Sequence, residues 1–144
     1  MRSLIKIFLA TSFLMAACEP KQPEPLQIRK VWKAITVTQN GAVVYQQGAA
    51  NNARPSYSMF RLDLTLTDQV TFIDLDGRKT VGSWSLSTDN QRLILENLVP
   101  PPSESTGNIE FYITEATKDQ LKLKRTTESR KTGNSINEYV LVPQ

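Results

Sequence analysis

The 144-residue sequence contains no histidine and a single cysteine, Cys18. Without histidine, the commonest general base, a frequent zinc ligand and the serine or cysteine triad are all missing together. With one cysteine there is no disulfide within the chain, so the domain has to be held by packing alone. A phosphate-binding glycine loop, a Gly-x-Ser-x-Gly elbow and cysteine-based metal spacing are all absent. Asp74-Leu75-Asp76-Gly77 has the opening of a calcium loop, but the later oxygen ligands and terminal glutamate are missing, and a hairpin turn explains it better. The expectation is a non-enzyme with no cofactor and no metal.

Long apolar runs are also missing. Ile7 to Ala17 is the best candidate, and as a helix it would reach only about 16 Å at about 1.5 Å per residue, against a hydrocarbon core of about 30 Å. It reads instead as the apolar middle of an export signal, with Arg2 and Lys6 before it and the small pair Ala16-Ala17 at its end. Leu14-Met15-Ala16-Ala17-Cys18 resembles the lipobox of bacterial lipoproteins, with Met15 in place of the usual aliphatic residue. That resemblance implies that Cys18 becomes the lipidated first residue of the mature protein. The expected address is therefore the bacterial cell envelope, lipid-anchored, with the outer membrane as the site, and the first partner is the membrane itself.

Removing residues 1–17 takes away Arg2 and Lys6, leaving 15 basic against 14 acidic side chains. The formal charge of +3 on the whole chain is thus mostly the leader, and nucleic acid is not an expected partner. Glu19 to Pro25 carries Pro20, Pro23 and Pro25 among polar residues, which favours an extended tether reaching roughly 20 Å at about 3.1 Å per residue. The expected organisation is a signal peptide over 1–17, a lipidated cysteine and tether over 18–27, and one folded domain over 28–144.

That domain reads as all-β. No apolar set at helical spacing persists for three turns, while period-two alternation recurs in almost every segment. Strands are expected at Val31 to Thr38, Met59 to Thr67, Gln69 to Leu75, Lys79 to Leu86, Arg92 to Leu98, Asn108 to Thr114, Gln120 to Thr126 and Asn137 to Val142. A ninth, Ala42 to Gln46, would return across Asn40-Gly41. Asp76-Gly77 is expected to be a two-residue type I′ turn joining Gln69 to Leu86 into one hairpin. On its returning arm Thr80, Gly82, Trp84 and Leu86 share a face, and the Trp84 ring is expected to point inward and fill the space left by the missing Cβ of Gly82.

Elsewhere Phe60, Leu62, Leu64 and Leu66 oppose polar neighbours, as do Ile109, Phe111 and Ile113, and Leu121 with Leu123. Lys122, Lys124 and Arg125 read as solvated charges on a wet face. In a meander, connections alternate between the two ends, which puts the long polar stretches Gln47 to Ser58, Val99 to Gly107 and Thr127 to Ile136 at one end with Asp76-Gly77.

The spaced pattern of Trp32, Phe72, Gly77, Gly82-Ser83-Trp84-Ser85-Leu86, Leu93-Ile94-Leu95, Ile113, Leu121-Lys122-Leu123 and Tyr139-Val140-Leu141 resembles the lipocalin-like domains of bacterial lipoproteins. Lys30 stands where classical secreted lipocalins have the glycine of Gly-x-Trp, and their Thr-Asp-Tyr signature is absent. The resemblance implies an eight-stranded antiparallel up-and-down barrel, or nine strands with Ala42 to Gln46, and binding of a small hydrophobic or amphiphilic ligand. The inward set is large enough to fill such a barrel, so a shallow pocket at the loop end is expected in place of a deep calyx. There Arg54, Tyr57, Arg78 and Arg130 are the candidate ligand-binding residues, suited to an anionic amphiphile. The alternative is a non-enzymatic interaction or structural module of the envelope, with its barrel filled and an envelope protein as partner. A continuous interior cavity above about 300 Å³ would favour the ligand reading.

Overall fold

The computed structural model describes residues 28–144. The leader, Cys18 and the tether lie outside the described residues. The nine strands are β1 (Val31–Gln39), β2 (Ala42–Gln46), β3 (Arg61–Asp63), β4 (Gln69–Ile73), β5 (Lys79–Leu86), β6 (Arg92–Val99), β7 (Ile109–Ala116), β8 (Leu121–Arg125) and β9 (Asn137–Pro143). All pair antiparallel, each from β3 onward with the next, and β9 returns to β1 and closes the barrel.

β2 and β3 lie end to end on one edge of β1. Thr36 to Gln39 pair with β2, and Val31 to Lys33 pair with β3. The barrel therefore has eight staves, of which the second is split. The Asn40-Gly41 turn before β2 has positive φ at both residues, 49° and 82°, as a type I′ hairpin requires.

The split corrects the expected strand Met59 to Thr67. Only Arg61–Asp63 is strand, and beyond Leu64 the Asp63 carboxylate accepts from the Thr65 N–H and hydroxyl, turning the chain out of the wall. Leu66 is consequently 55% exposed and does not join the core with Phe60, Leu62 and Leu64. Its carbonyl instead accepts the Trp84 indole N–H at 2.8 Å.

Two further expectations change in detail. Only Gly77 of the Asp76-Gly77 pair has positive φ, and five residues, Asp74 to Arg78, connect β4 to β5, closed by the Gly77 N–H donating to the Asp74 carbonyl. At Gly82 the register slips: Val81 faces Val99 while Ser83 faces Glu96. A Cβ on Gly82 would drive into the Glu96 carbonyl oxygen and the backbone that follows it, so close approach of the bulged β6 strand, not a neighbouring indole, is what requires glycine there.

The interior is packed with rings. Phe72 on β4 meets Phe60 edge-on at 5.6 Å between centroids, Phe60 stacks on Tyr139 of β9 at 5.0 Å, and Tyr139 meets Phe111 of β7 at 5.9 Å. This chain of contacts crosses the barrel from wall to nearly opposite wall. Trp32, Leu62, Leu64, Leu93, Leu95, Leu121, Leu123 and Leu141 complete the core, each with 1% or less of its surface exposed. The short-connection end is stoppered by Ile28, whose carbonyl accepts the Trp32 indole N–H, and the Lys30 ammonium reaches across to the Lys118 carbonyl.

Candidate functional site at the loop end

Strand directions put the connections 74–78, 100–108 and 126–136 at one end, together with the Asn40-Gly41 turn. The stretch after β2 leaves the wall partway along. It runs back beside β2, where the Arg54 N–H donates to the Val44 carbonyl, and ends in a 3-10 helix, Pro55–Met59. Met59 abuts Gly77, so this helix belongs to the same end.

The end is closed by a polar layer beneath the β8–β9 connection. Asn137, buried at the start of β9, accepts from the Ser135 hydroxyl at 2.6 Å, donates to the Thr132 hydroxyl, and lies within reach of the Tyr57 and Tyr139 hydroxyls. Gln39 donates to the Tyr57 hydroxyl at 3.1 Å. Each buried polar group of this layer thereby finds a partner, as groups cut off from water must. Lys131 donates to Asp74 at 3.2 Å and to Asp76 at 3.1 Å, tying the β8–β9 connection to the β4–β5 turn. Ser103 donates to Asp76 and brings in the third loop. Burial alone would raise the Asp76 carboxyl, but the Arg78 N–H, the Lys131 ammonium and the Ser103 hydroxyl outweigh it and hold the group below its usual value.

The sequence-expected residues separate. Tyr57 is fully buried, its hydroxyl taken up by the polar layer, so it is a wall of the core and not a ring offered to a ligand. Arg54 and Arg78 are exposed but lie away from the principal groove at this end. Arg130 does line that groove, an open space of about 1400 Å³ between the β6–β7 and β8–β9 connections, with Glu104, Glu128 and Asn134 among its neighbours. Below it a cavity of about 20 Å³, room for about one water, reaches Asp74 and Lys131.

Sequence reasoning missed Arg125, which lines both spaces. It follows Leu121 and Leu123 at period two and faces Phe111 across the ladder, which puts it on the inward side at the rim. The signal was legible in that parity. Among the described residues no cluster of three or more metal-binding side chains is placed to hold an ion.

Burial, and then the Asp74 carboxylate, push the Tyr57 hydroxyl up to about 12, and burial raises Tyr139 well above its ordinary value. Unfolded tyrosines ionise near 10. The stability these groups contribute is thus intact below pH 10 and is lost as pH rises toward about 12. An alkaline titration followed by tyrosinate absorbance and circular dichroism should show these rings ionising only as the barrel melts. Ionisation of Tyr57 near pH 10 with the β-signal intact would contradict the geometry.

No protein-family model matches the chain, and no curated protein is detectably similar to it. Among solved structures it is similar to a lipocalin-like protein from Bacteroides uniformis, with 12% identity and a TM-score of 0.51 over 82% of this chain and 99% of that one. An uncharacterized protein from Bacteroides eggerthii is similar at 11% identity and a TM-score of 0.50, over 80% of this chain and 98% of that one. The chain has a lipocalin-like barrel: a closed eight-strand antiparallel wall with one extra strand.

Proposed function

We propose that this protein is a lipid-anchored lipoprotein of the bacterial cell envelope, non-enzymatic, whose lipocalin-like barrel is a filled scaffold that binds a small ligand at its loop end. The observation that carries the reading is the contrast between interior and rim. Rings in contact occupy the space where a calyx would lie, while an open groove lined by charges unpaired among the described residues sits between the β6–β7 and β8–β9 connections of the rim. Loops on a rigid wall are where binding groups are usually displayed. The polar lining argues for a ligand whose recognised part is polar, with any apolar tail left outside the barrel.

Orientation supports the same reading. The described chain enters the barrel at Ile28, at the stoppered end, so a tether running from Cys18 would hold the groove on the side facing away from the anchoring membrane. Cys18→Ala should release the protein from the membrane fraction into the soluble periplasmic fraction with its fold unchanged. Firm membrane association after that change would remove the anchor from the proposal. Native mass spectrometry of the processed protein drawn from its own envelope tests the ligand. A retained small-molecule mass is expected, and a bare mass in every preparation would favour the interaction-module alternative.

A further inference from the structure

Four charged side chains line both the groove and the small cavity under it: Arg125 and Arg130, Glu104 and Glu128. Two are positive and two negative. Among the described residues the ion pairs are Arg92 with Glu110, Lys122 with Glu115, Lys124 with Glu138, and Lys131 with Asp74 and Asp76, and none involves these four. Among the described residues no side-chain hydrogen bond engages them either, and the Arg125 Nε is buried there without an acceptor. The architecture keeps them apart. Glu104 stands on the β6–β7 connection, Glu128 and Arg130 on the β8–β9 connection, and Arg125 at the inward rim of β8.

Resting on the loop-end reading above, we propose that this groove is a site for a small zwitterion, a molecule carrying one primary ammonium and one oxyanion a few bonds apart. A lone anion would gain the arginines but meet two carboxylates, and a lone cation would meet the reverse, so neither matches a lining whose four charges sum to zero. A ligand bearing both signs satisfies both, giving the arginine and glutamate side chains that line the groove the counter-charges they lack. Arginine and carboxylate side chains suit these roles, the planar guanidinium taking a carboxylate or phosphate and the glutamates accepting from an ammonium. This replaces the purely anionic ligand expected from Arg54, Arg78 and Arg130, because the structure puts Glu104 and Glu128 beside the arginine that does reach the groove.

The chemistry is shared by two sources, the two ends of an amino acid or short peptide and a phosphoethanolamine headgroup. The test is amide chemical-shift titration of the processed full chain in non-ionic maltoside micelles. The probes are alanyl-alanine and glycerophosphoethanolamine as zwitterions, with propionate, dimethyl phosphate and ethylamine as single-charge halves. At least one zwitterion should shift amides in 104–108 and 125–136 and bind about tenfold or more tighter than any half, the factor expected for losing one charge-assisted contact. The tighter of the two names the source.

Arg125→Met and Glu128→Gln should each weaken the zwitterion about tenfold; Arg125→Met should not weaken ethylamine, nor Glu128→Gln the anionic halves, since each change removes a like charge from that half's surroundings. The half-molecule comparison needs no variant and stands if Arg125→Met fails to fold. A single-charge half binding as tightly as either zwitterion would overturn the proposal. If an extract of the host envelope shifts the groove amides while no zwitterion does, this inference falls and the loop-end reading stands. If neither shifts them, both fall.

Discussion

Lys131→Met should cost the barrel about 3 to 5 kcal/mol, read as a large fall in the urea midpoint, because it leaves a buried carboxylate without its counter-charge. The Lys131 side chain is 12% exposed and that of Asp74 only 5%, so water cannot readily take the place of the ammonium. The Leu75 N–H would remain on Asp74, a neutral donor where a cation had been. Asp76, more exposed, loses one of the contacts that hold its carboxyl low and should become easier to protonate. Combining Lys131→Met with Asp74→Asn should recover most of the loss, since the penalty lies in the unpaired charge more than in the pair itself. An unchanged midpoint in the single variant would mean that the β8–β9 connection is not docked on the β4–β5 turn.

Trp84→Ala should cost a similar amount, about 3 to 5 kcal/mol, for removing a large aromatic from a packed interior. The indole is 8% exposed and its N–H donates to the Leu66 carbonyl, which fixes the segment leaving β3. Trp84→Phe separates the two contributions. It keeps much of the packing and loses the hydrogen bond, worth about 0.5 to 1.5 kcal/mol, so it should fall well short of the alanine variant. A denaturation midpoint unmoved by Trp84→Ala would show that this strand faces the other way.

Alternation was a sound guide wherever a strand had one wet face and one dry face. It located β5 to the residue and the other long strands to within two residues at each end, while the Asn40-Gly41 turn signal located β2. It misled where a local side chain took over from the pleat. The run from Phe60 to Leu66 alternates throughout, yet the Asp63 carboxylate captures Thr65 and the strand ends after three residues. Nothing in period-two patterning encodes that competition. Gly82 was correctly singled out, but its reason lies in β6, where residues of both strands combine to make a bulge.

The site was less legible than the wall, for a physical reason. Loop residues reach their positions through contacts distant in sequence, such as Lys131 with Asp74, which no local period reports. Of Arg54, Tyr57, Arg78 and Arg130, only the last lines the principal groove. Tyr57 was misjudged because its segment is polar, although a single ring can leave such a segment and complete the core where the second stave is split. Arg125 was hidden by its neighbours: between Lys124 and Thr126 it looks like part of a solvated run, and only its step from Leu123 shows that it turns inward.

That the barrel is filled and its recognition confined to the rim is tested most directly by chemical-shift mapping of the processed full chain, in non-ionic micelles, against an extract of the host's own envelope. The amides of residues 104–108 and 125–136 should move, with the methyl groups of Leu93, Leu95, Leu121 and Leu123 left unchanged. Shifts in those inward methyls, with the rim amides unmoved, would place the ligand inside the barrel and contradict a filled interior.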